Sequence, residues 1–437
     1  MIVKYNRKTL PYKVLMVFIL IIELHYFGLF TLPSGIEFVL YTNKAKWIGA
    51  VAVLTALICY KRHKTVLKAY TGFLRKYCAV TAISLLLISA YTIIAYPLNP
   101  LITTYGFASY YLYAFLAIPI IYIYIVEGSF ERFFKLLNVI TICMYIVTII
   151  QGVAFMKTGK LLFASANETV SGGMIRDGKV RLYSGAMSFL MIIYNIYLLY
   201  NCRKERTKKK KLPLISLILG MISICFTGNS RIMLVTLLAS LGILVLLGDG
   251  SGRKKILAMI AVIGAIVFLF TSGIVSKLLA SFSTTGNLAG SSIARVGAYK
   301  YYLDAFLKNP LFAIGFVGDE NYYDIVHGSS GIYYQTVHVR YFYDDVGIAG
   351  QLALLGISIV GIYIWPLFRI IKIAVQCCKN RQFLEGKLVI AIACYLVCTT
   401  PTMIVLDSSR VIAFPIVLAS TELIYTNYLM KNGKKSK

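Results

Sequence analysis

Long runs of apolar residues alternate along this chain with short basic segments. We place the runs at 14–32, 46–60, 77–96, 107–126, 136–156, 183–201, 213–228, 231–248, 256–275, 346–366, 388–405 and 410–429. A helix needs about 20 apolar residues to cross a hydrocarbon core about 30 Å thick, and most of these runs approach that length. The sequence therefore predicts an all-α, polytopic integral membrane protein with about 12 transmembrane helices.

The composition favours the same environment. Hydrophobic residues make up 59% of the 437 residues and charged residues 14%, whereas a soluble domain has about 45–50% and about 25%. The first apolar run has no small-residue cleavage site, so it is interpreted as a retained anchor. The net charge of +28 would suggest nucleic acid in a soluble protein. Here the charge lies in blocks between apolar runs, which indicates contact with anionic membrane lipid and predicts no nucleic-acid partner.

The positions of the basic blocks predict the orientation. Most of the 45 lysines and arginines fall in seven alternate connections, at 1–13, 61–76, 127–135, 202–211, 253–255, 369–387 and 431–437. Lysine and arginine are enriched in cytoplasmic loops. We therefore predict that both ends of the chain lie in the cytoplasm.

Two outer loops follow from this orientation, a shorter one at 157–182 and a long one at 276–345. They divide the chain into residues 1–275 with nine membrane helices, the extracytoplasmic loop 276–345, and residues 346–437 with three helices and a basic tail. Apolar residues recur at helical spacing in the long loop, which predicts an amphipathic helix on the bilayer surface: Val296, Tyr299, Leu303, Phe306 and Leu307. A long structured loop on one face usually carries function.

Ionisable residues inside spans are costly, so they are candidates for function. Arg231 begins the eighth span with no neutralising neighbour in sequence, and a guanidinium is a multidentate phosphate ligand or a snorkelling interfacial group. Glu23 and His25 lie in the first span and are interpreted as a structural polar contact. Asp407 and Arg410 lie at the last hairpin turn and are predicted to form an interfacial ion pair.

The outer loops add further charged candidates: Arg181, Arg295, Arg340, His327 and His338. His338 lies just ahead of a span, where a base could face the membrane surface, although a loop histidine is more often a solvated surface residue. The aspartates at 344 and 345 are predicted to cap the tenth span at its N-terminus. The sequence has no P-loop, no HExxH and no membrane-proximal Asp-x-Asp, so we expect no cofactor and no metal site.

Several of these segments together resemble the O-antigen ligase and polymerase superfamily, the Wzy-type bacterial polysaccharide polymerases. The segments are TGNSR at 227–231, SIAR at 292–295, NPL at 309–311 with IGF at 314–316, and His338 followed by DVGIAG at 345–350; RLYSG at 181–185 adds a weaker match. Each motif is weak alone. Their order around one long outer loop makes the combination more specific.

The resemblance implies a glycosyltransferase-C-like membrane fold in the bacterial cytoplasmic (inner) membrane. It also implies metal-independent, inverting transfer between an undecaprenyl-pyrophosphate-linked oligosaccharide donor and acceptor, with a chain-length regulator protein as a further partner. His338 takes the part of the base for the acceptor hydroxyl. Arg231, Arg295 and Arg181 would stabilise the leaving pyrophosphate, and Arg340 would hold acceptor phosphate or sugar.

Three other functions remain open on the sequence. Twelve spans and a basic central loop also fit a permease or a lipid-linked oligosaccharide flippase, although the 61–76 loop lacks the signature expected of a permease. A ligase would move a finished glycan onto a different acceptor. A receptor or scaffold would carry no chemistry.

Overall fold

A computed structural model describes residues 7–30, 32–163, 175–176, 179–180, 182, 187–201, 211–228, 231–247, 289–328, 333–334, 337–338, 340–379 and 384–433. These residues are mainly helical, as the sequence predicts. The helices are α1 (Leu10–Glu23), α2 (Ser34–Glu37), α3 (Lys44–Leu67), α4 (Gly72–Ala95), α5 (Leu101–Leu112), α6 (Ala117–Glu127), α7 (Glu131–Thr158), α8 (Ser188–Asn201), α9 (Lys211–Ser223), α10 (Arg231–Leu247), α11 (Ala289–Lys308), α12 (Asp319–His327), α13 (Gly347–Leu355), α14 (Trp365–Lys379), α15 (Glu385–Thr399) and α16 (Ala413–Gly433).

Shorter elements connect some of these helices. Four are 3₁₀ turns, at His25–Gly28, Tyr113–Leu116, Tyr343–Val346 and Gly356–Ser358. Three are π-helical turns, at Phe38–Thr42, Ile224–Gly228 and Val360–Ile364. Two antiparallel hairpins pair β1 (Ile175–Arg176) with β2 (Lys179–Val180), and β3 (Tyr333–Tyr334) with β4 (Val337–His338).

Within the described ranges, four helical segments are long and apolar enough to cross a membrane: Gly72–Ala95, Leu101–Glu127, Glu131–Thr158 and Val360–Cys377. The first three coincide with predicted spans, and the fourth begins inside the run predicted at 346–366 and extends beyond it. The predicted span at 256–275 lies outside the described residues. The chain therefore has membrane-protein character, while the count of 12 spans and the orientation stay predictions.

The segment Leu101–Glu127 forms the centre of the helical body. Protein buries 78% of its most apolar stretch, against 28% for Gly72–Ala95. A helix covered on all sides belongs in a protein core, whereas a mostly uncovered apolar helix needs another apolar environment. Helix α4 therefore lies at the periphery, where its exposed Ile83 and Leu87 suit contact with lipid.

Polar groups in the first predicted span have partners within the protein. The Tyr113 hydroxyl donates to the Glu23 carboxylate over 2.7 Å, and the Lys44 ammonium lies 3.2 Å from the same carboxylate. The His25 imidazole lies 2.7 Å from a Glu37 oxygen. The interpretation of Glu23 and His25 as structural contacts is confirmed.

The helix predicted inside the long loop is present as α11. Ala298 and Tyr302 bury its inner face against the protein. On its outer face Val296, Leu303 and Leu307 are 67%, 44% and 63% exposed. This apolar stripe has the pattern expected of a helix on a bilayer surface, and that placement stays a prediction.

The segment after α11 is anchored to the end of α4. The Phe316 amide donates to the Thr92 hydroxyl over 3.0 Å, and the Gly318 amide donates to the Asn99 side chain over 3.0 Å. The Ile314 amide donates to the Ala353 carbonyl over 2.9 Å. The NPL and IGF segments therefore secure the outer loop to the membrane helices.

Candidate functional site

Leu182 and the π-helical turn before α10 come together through their backbones. The Leu182 amide donates to the Thr227 carbonyl over 3.0 Å, and the Leu182 side chain packs beside Phe155. Helix α10 begins at Arg231 after a π-helical turn. Arg181 and the Arg231 side chain lie outside the described residues. The described contact therefore joins Leu182 to the turn that precedes α10.

Arg295 lies on α11 and is partly buried. One helical turn later, the Tyr299 hydroxyl donates to the Pro401 carbonyl, which follows the end of α15. Burial raises the pKa of Tyr299, and the positive charge of Arg295 opposes that rise, so the guanidinium lies near the phenol. Arg295 is therefore held beside the turn that connects α15 with α16.

The backbone of His338 pairs with that of Tyr333 in the second hairpin, while the His338 side chain lies outside the described residues. Two residues later, the Arg340 guanidinium donates to Asp324 over 2.8 Å and to the Gly328 carbonyl over 3.0 Å. Both contacts use Nη1. Arg340 thus ties the His338 segment to the end of α12.

A buried histidine strengthens the same junction. His327 is only 4% exposed, so it is not a solvated loop residue. Its Nδ1 donates to the Tyr341 carbonyl over 2.7 Å, and the Tyr341 amide donates back to the His327 carbonyl over 3.0 Å. Nε2 lies 3.1 Å from an Asp319 carboxylate oxygen. His327 therefore connects both ends of α12 with the segment that follows β4.

Asp344 lies in the 3₁₀ turn that precedes α13. Its side chain is exposed to solvent, although many protein atoms lie close to the carboxyl group. This partial desolvation raises the pKa of Asp344 to about 7, the negative charges of Asp407 and Asp345 raise it too, and Arg410 opposes them. An accessible carboxyl group with a pKa near neutrality is suited to accept a proton.

The predicted ion pair between Asp407 and Arg410 is confirmed. Asp407 is 5% exposed and also accepts hydrogen bonds from the Ser409 amide over 3.1 Å and the Ser408 hydroxyl over 3.2 Å. A buried carboxylate needs such partners to stay ionised. The ion pair therefore lies close enough to Asp344 for both charges to act on its carboxyl group.

The prediction that the aspartates at 344 and 345 cap the next helix is wrong. Helix α13 begins at Gly347 after Val346, with no side-chain cap. The intervening 3₁₀ turn contains both aspartates, so their carboxylates lie before the first helical amides. Gly347 has a φ of +48°, and a β-carbon there would lie 2.5 Å from the Pro401 carbonyl. Because glycine has no β-carbon, α13 can begin in direct contact with the turn at Pro401.

Sequence reasoning predicted the Asp407–Arg410 pair, but it gave Asp344 a capping role and assigned no specific role to His327. The Asp-Asp doublet next to a glycine was the available signal for Asp344. The burial of His327 depends on Tyr341, which lies 14 residues away, so no local pattern predicts it. Within the described part of the chain, no three His, Cys, Asp or Glu side chains are grouped as metal ligands. Metal-independent chemistry stays a prediction.

Comparison with known proteins gives one family match. Residues 215–344 match the family model described as O-antigen ligase. No curated protein matches the chain. The matched region begins within α9 and ends at Asp344, so it includes Arg231, Arg295, His338 and Arg340. This match bears out the resemblance predicted from the motifs and supports the O-antigen ligase and polymerase superfamily for this chain, whose members are membrane enzymes of the glycosyltransferase kind.

Proposed function

We propose that the protein is a polysaccharide polymerase of the bacterial cytoplasmic membrane. It joins oligosaccharide repeat units carried on undecaprenyl pyrophosphate, on the outer face of that membrane. The family match supports the broader class, a glycan transferase of the ligase or polymerase type that acts on lipid-linked oligosaccharides. The finer assignment rests on the site.

The accessible carboxyl of Asp344 is the observation that carries the proposal. It lies beside the Asp407–Arg410 pair, which belongs to the connection between α15 and α16 that Tyr299 also contacts. Glycosyl transfer to a hydroxyl needs a base within hydrogen-bonding reach of that hydroxyl. Proton-coupled transporters also use such carboxyl groups, so it is the family match that favours an enzyme over a flippase.

In the proposed reaction, the acceptor hydroxyl oxygen attacks the anomeric carbon of the donor sugar. The new C–O bond forms as the bond from that carbon to the pyrophosphate oxygen breaks. The hydroxyl proton passes to the base, a role that the family resemblance gives to His338 and for which the surroundings of Asp344 offer that carboxylate as the alternative. Attack opposite the leaving group inverts the anomeric carbon, and no metal is required in this scheme.

The arginines serve the phosphate groups. The leaving lipid pyrophosphate gains negative charge as the anomeric bond breaks, and guanidinium groups stabilise such charge through paired hydrogen bonds. We assign this role to Arg231, Arg295 and Arg181. Arg340 holds acceptor sugar or phosphate with the nitrogens that it does not use for Asp324. The exposed stripe on α11 then rests on the bilayer surface beside the lipid carriers.

A ligase is the second candidate, because the matching family model is itself described as O-antigen ligase. A ligase would transfer a complete glycan to another acceptor rather than extend the chain. The two functions share the leaving group and the base. They differ in the product that accumulates when the protein is missing: single repeat units for a polymerase, and finished lipid-linked polymer for a ligase.

Complementation of the deletion strain tests the proposal. His338→Ala and Arg231→Ala should both leave protein in the membrane and single, unpolymerised repeat units in the cell, while Arg132→Ala, an exposed arginine outside the site, should restore polymer. Full-length polymer from both site variants would refute the catalytic assignment. Repeat units trapped on the cytoplasmic side in the deletion strain would instead identify a flippase.

A further inference from the structure

A basic pocket lies at the opposite end of α4 from the candidate site. Its cavity of about 520 Å³ is lined by the first turn of α4 and one face of α14. Seven of the lining side chains are aromatic or basic: Phe73, Arg75, Lys76, Trp365, Phe368, Arg369 and Lys372. The family assignment and the proposed reaction use none of these residues.

The charge of this pocket is largely uncompensated. Its lining contains four basic side chains and no carboxylate. Glu422 neutralises Arg369 through two hydrogen bonds, of 2.8 and 3.2 Å. Arg75 donates to the neutral Tyr60 hydroxyl over 2.9 Å, so its charge remains. Lys76 and Lys372 are exposed, and no acidic partner is recorded for either among the described side chains. The pocket therefore favours an anion.

The pocket lies at the level of a membrane interface. Helix α4 has 24 residues, and at 1.5 Å per residue it spans roughly 36 Å, about the thickness of a bilayer. Its far end binds the outer loop through Thr92 and Asn99. At the near end the rings of Phe73 and Trp365 pack edge to face, with centroids 5.0 Å apart. Aromatic and basic side chains together are typical of the headgroup level.

Apolar side chains on both helices lead from the pocket toward the bilayer centre. On α4, Lys76 is followed on the same helical face by Ile83 and Leu87, which are 58% and 55% exposed. On α14, Phe368 lies one turn before Lys372 and is 65% exposed. A ligand with a charged head and apolar tails matches this surface better than a free anion does.

We propose that this pocket binds the phosphate headgroup of an anionic phospholipid, phosphatidylglycerol being the simplest example, in the leaflet opposite the candidate site. The phosphate lies among Arg75, Lys76 and Lys372, and the acyl chains lie along the apolar faces of α4 and α14. The predicted orientation makes this the cytoplasmic leaflet. Arg369, held by Glu422, shapes the wall between the two helices.

Lipid binding by the purified full-length protein tests this proposal. Native mass spectrometry would compare phosphatidylglycerol with phosphatidylcholine of the same acyl chains, and melting temperature would be measured with each lipid and with glycerol 3-phosphate. We expect selective binding of phosphatidylglycerol and a rise in melting temperature with that lipid alone. A basic residue near an anionic surface contributes about 1 kcal/mol, which is about fivefold in affinity.

The variant Lys76→Gln with Lys372→Gln should therefore weaken phosphatidylglycerol binding about 25-fold. Its matched control is Lys64→Gln with Lys68→Gln, which removes two exposed lysines of the preceding basic segment from outside the pocket lining. Equal weakening by the control, equal binding of the two lipids, or unchanged binding by the pocket variant would overturn the proposal. A rise in melting temperature with glycerol 3-phosphate and not with phosphatidylglycerol would show that the ligand is a soluble phosphate and not a lipid.

Discussion

The Tyr299 hydroxyl donates a hydrogen bond to the main-chain carbonyl of Pro401, across 102 residues of sequence. The contact joins the helix that carries Arg295 to the turn between α15 and α16. Gly347 packs against that same carbonyl. The long outer loop is thereby attached to the membrane helices next to Asp344, which connects the predicted phosphate ligand with the proposed base.

Asp344 has a pKa of about 7, and its ionisation should make the rate of transfer depend on pH. Replacement of Asp344 by asparagine should abolish this pH dependence. Because only the ionised form accepts a proton, the wild-type rate should rise with pH through about 7 and level off above it. Asp344→Asn should reduce the rate by about 10²–10⁴-fold, the usual contribution of a general base. The measurement is polymer formation from lipid-linked repeat units in membranes between pH 5 and 9.

Asp345→Asn is the matched control for this experiment, since Asp345 is an exposed neighbour in the same 3₁₀ turn. It should keep most of the activity, with the acidic limb moved only slightly to lower pH, because the charge of Asp345 is the smallest of the effects that raise the pKa of Asp344. Full activity of Asp344→Asn with an unchanged acidic limb would leave His338 as the base. A wild-type rate that is independent of pH across this range would contradict a general base of either kind.

Periodicity and charge were enough to predict the helices, because membrane helices follow from the length of an apolar run and amphipathic ones from spacing. Helix α11 was predicted from five residues and is present. The anchoring of the loop was not predictable in this way. The contacts of Phe316 with Thr92 and of Tyr299 with Pro401 join residues that are 224 and 102 positions apart. Side chains with such partners reveal their role only after the helices have packed.

Asp344 illustrates the same limit within the candidate site. From sequence, a doublet of acidic residues before a helix has an ordinary explanation as a cap. Its pKa depends on the crowding by surrounding protein and on Asp407, which lies 63 residues later in the sequence. The arginines could be proposed from sequence alone because a guanidinium stays charged in every environment, and their role stays a prediction.

Replacement of His327 by alanine should destabilise the outer loop. The substitution removes a buried ring that donates to the Tyr341 carbonyl and leaves that carbonyl without its side-chain partner. We expect a loss of about 2 kcal/mol in the free energy of unfolding, seen as a lower melting temperature of the purified protein. Asp319→Asn should cost less, within about 1 kcal/mol, because that carboxylate is exposed. Unchanged melting of His327→Ala would mean that the junction with Tyr341 adds no stability.

Replacement of Gly347 by alanine should disrupt the beginning of α13. The left-handed backbone costs an alanine about 1–2 kcal/mol, and the new β-carbon would lie 2.5 Å from the Pro401 carbonyl. We expect the free energy of unfolding to fall by about 2 kcal/mol or more, with reduced polymer formation. Gly35→Ala is the control, since nothing lies within 4 Å of a β-carbon there. Equal melting temperatures for the two variants would contradict the described packing.

A reporter of compartment should read the extracytoplasmic side when it is inserted near Tyr333 and the cytoplasmic side when it is inserted near Lys208. The expectation rests on the distribution of lysine and arginine among the connections. An alkaline phosphatase fusion and a cytoplasm-dependent fluorescent fusion at each site would measure it. A cytoplasmic signal near Tyr333 would place His338 and Asp344 on the wrong face for the proposed reaction.

The charges next to Asp344 should move the acidic limb of the rate in opposite directions. Asp407 raises the pKa of Asp344 and Arg410 lowers it. Asp407→Asn should therefore shift the midpoint of the limb below about pH 7, and Arg410→Gln should shift it above.

Measurement of the free energy of unfolding separates this electrostatic effect from a loss of activity caused by destabilisation. Arg410→Gln leaves the buried Asp407 carboxylate without its cation, and such a change costs about 3–5 kcal/mol. The double variant should lose less than the sum of the two single variants, because it removes both members of the pair. Its pH midpoint should lie between those of the single variants, since the two electrostatic effects on Asp344 oppose each other. Shifts of the same sign in both single variants would show that the limb does not report the ionisation of Asp344.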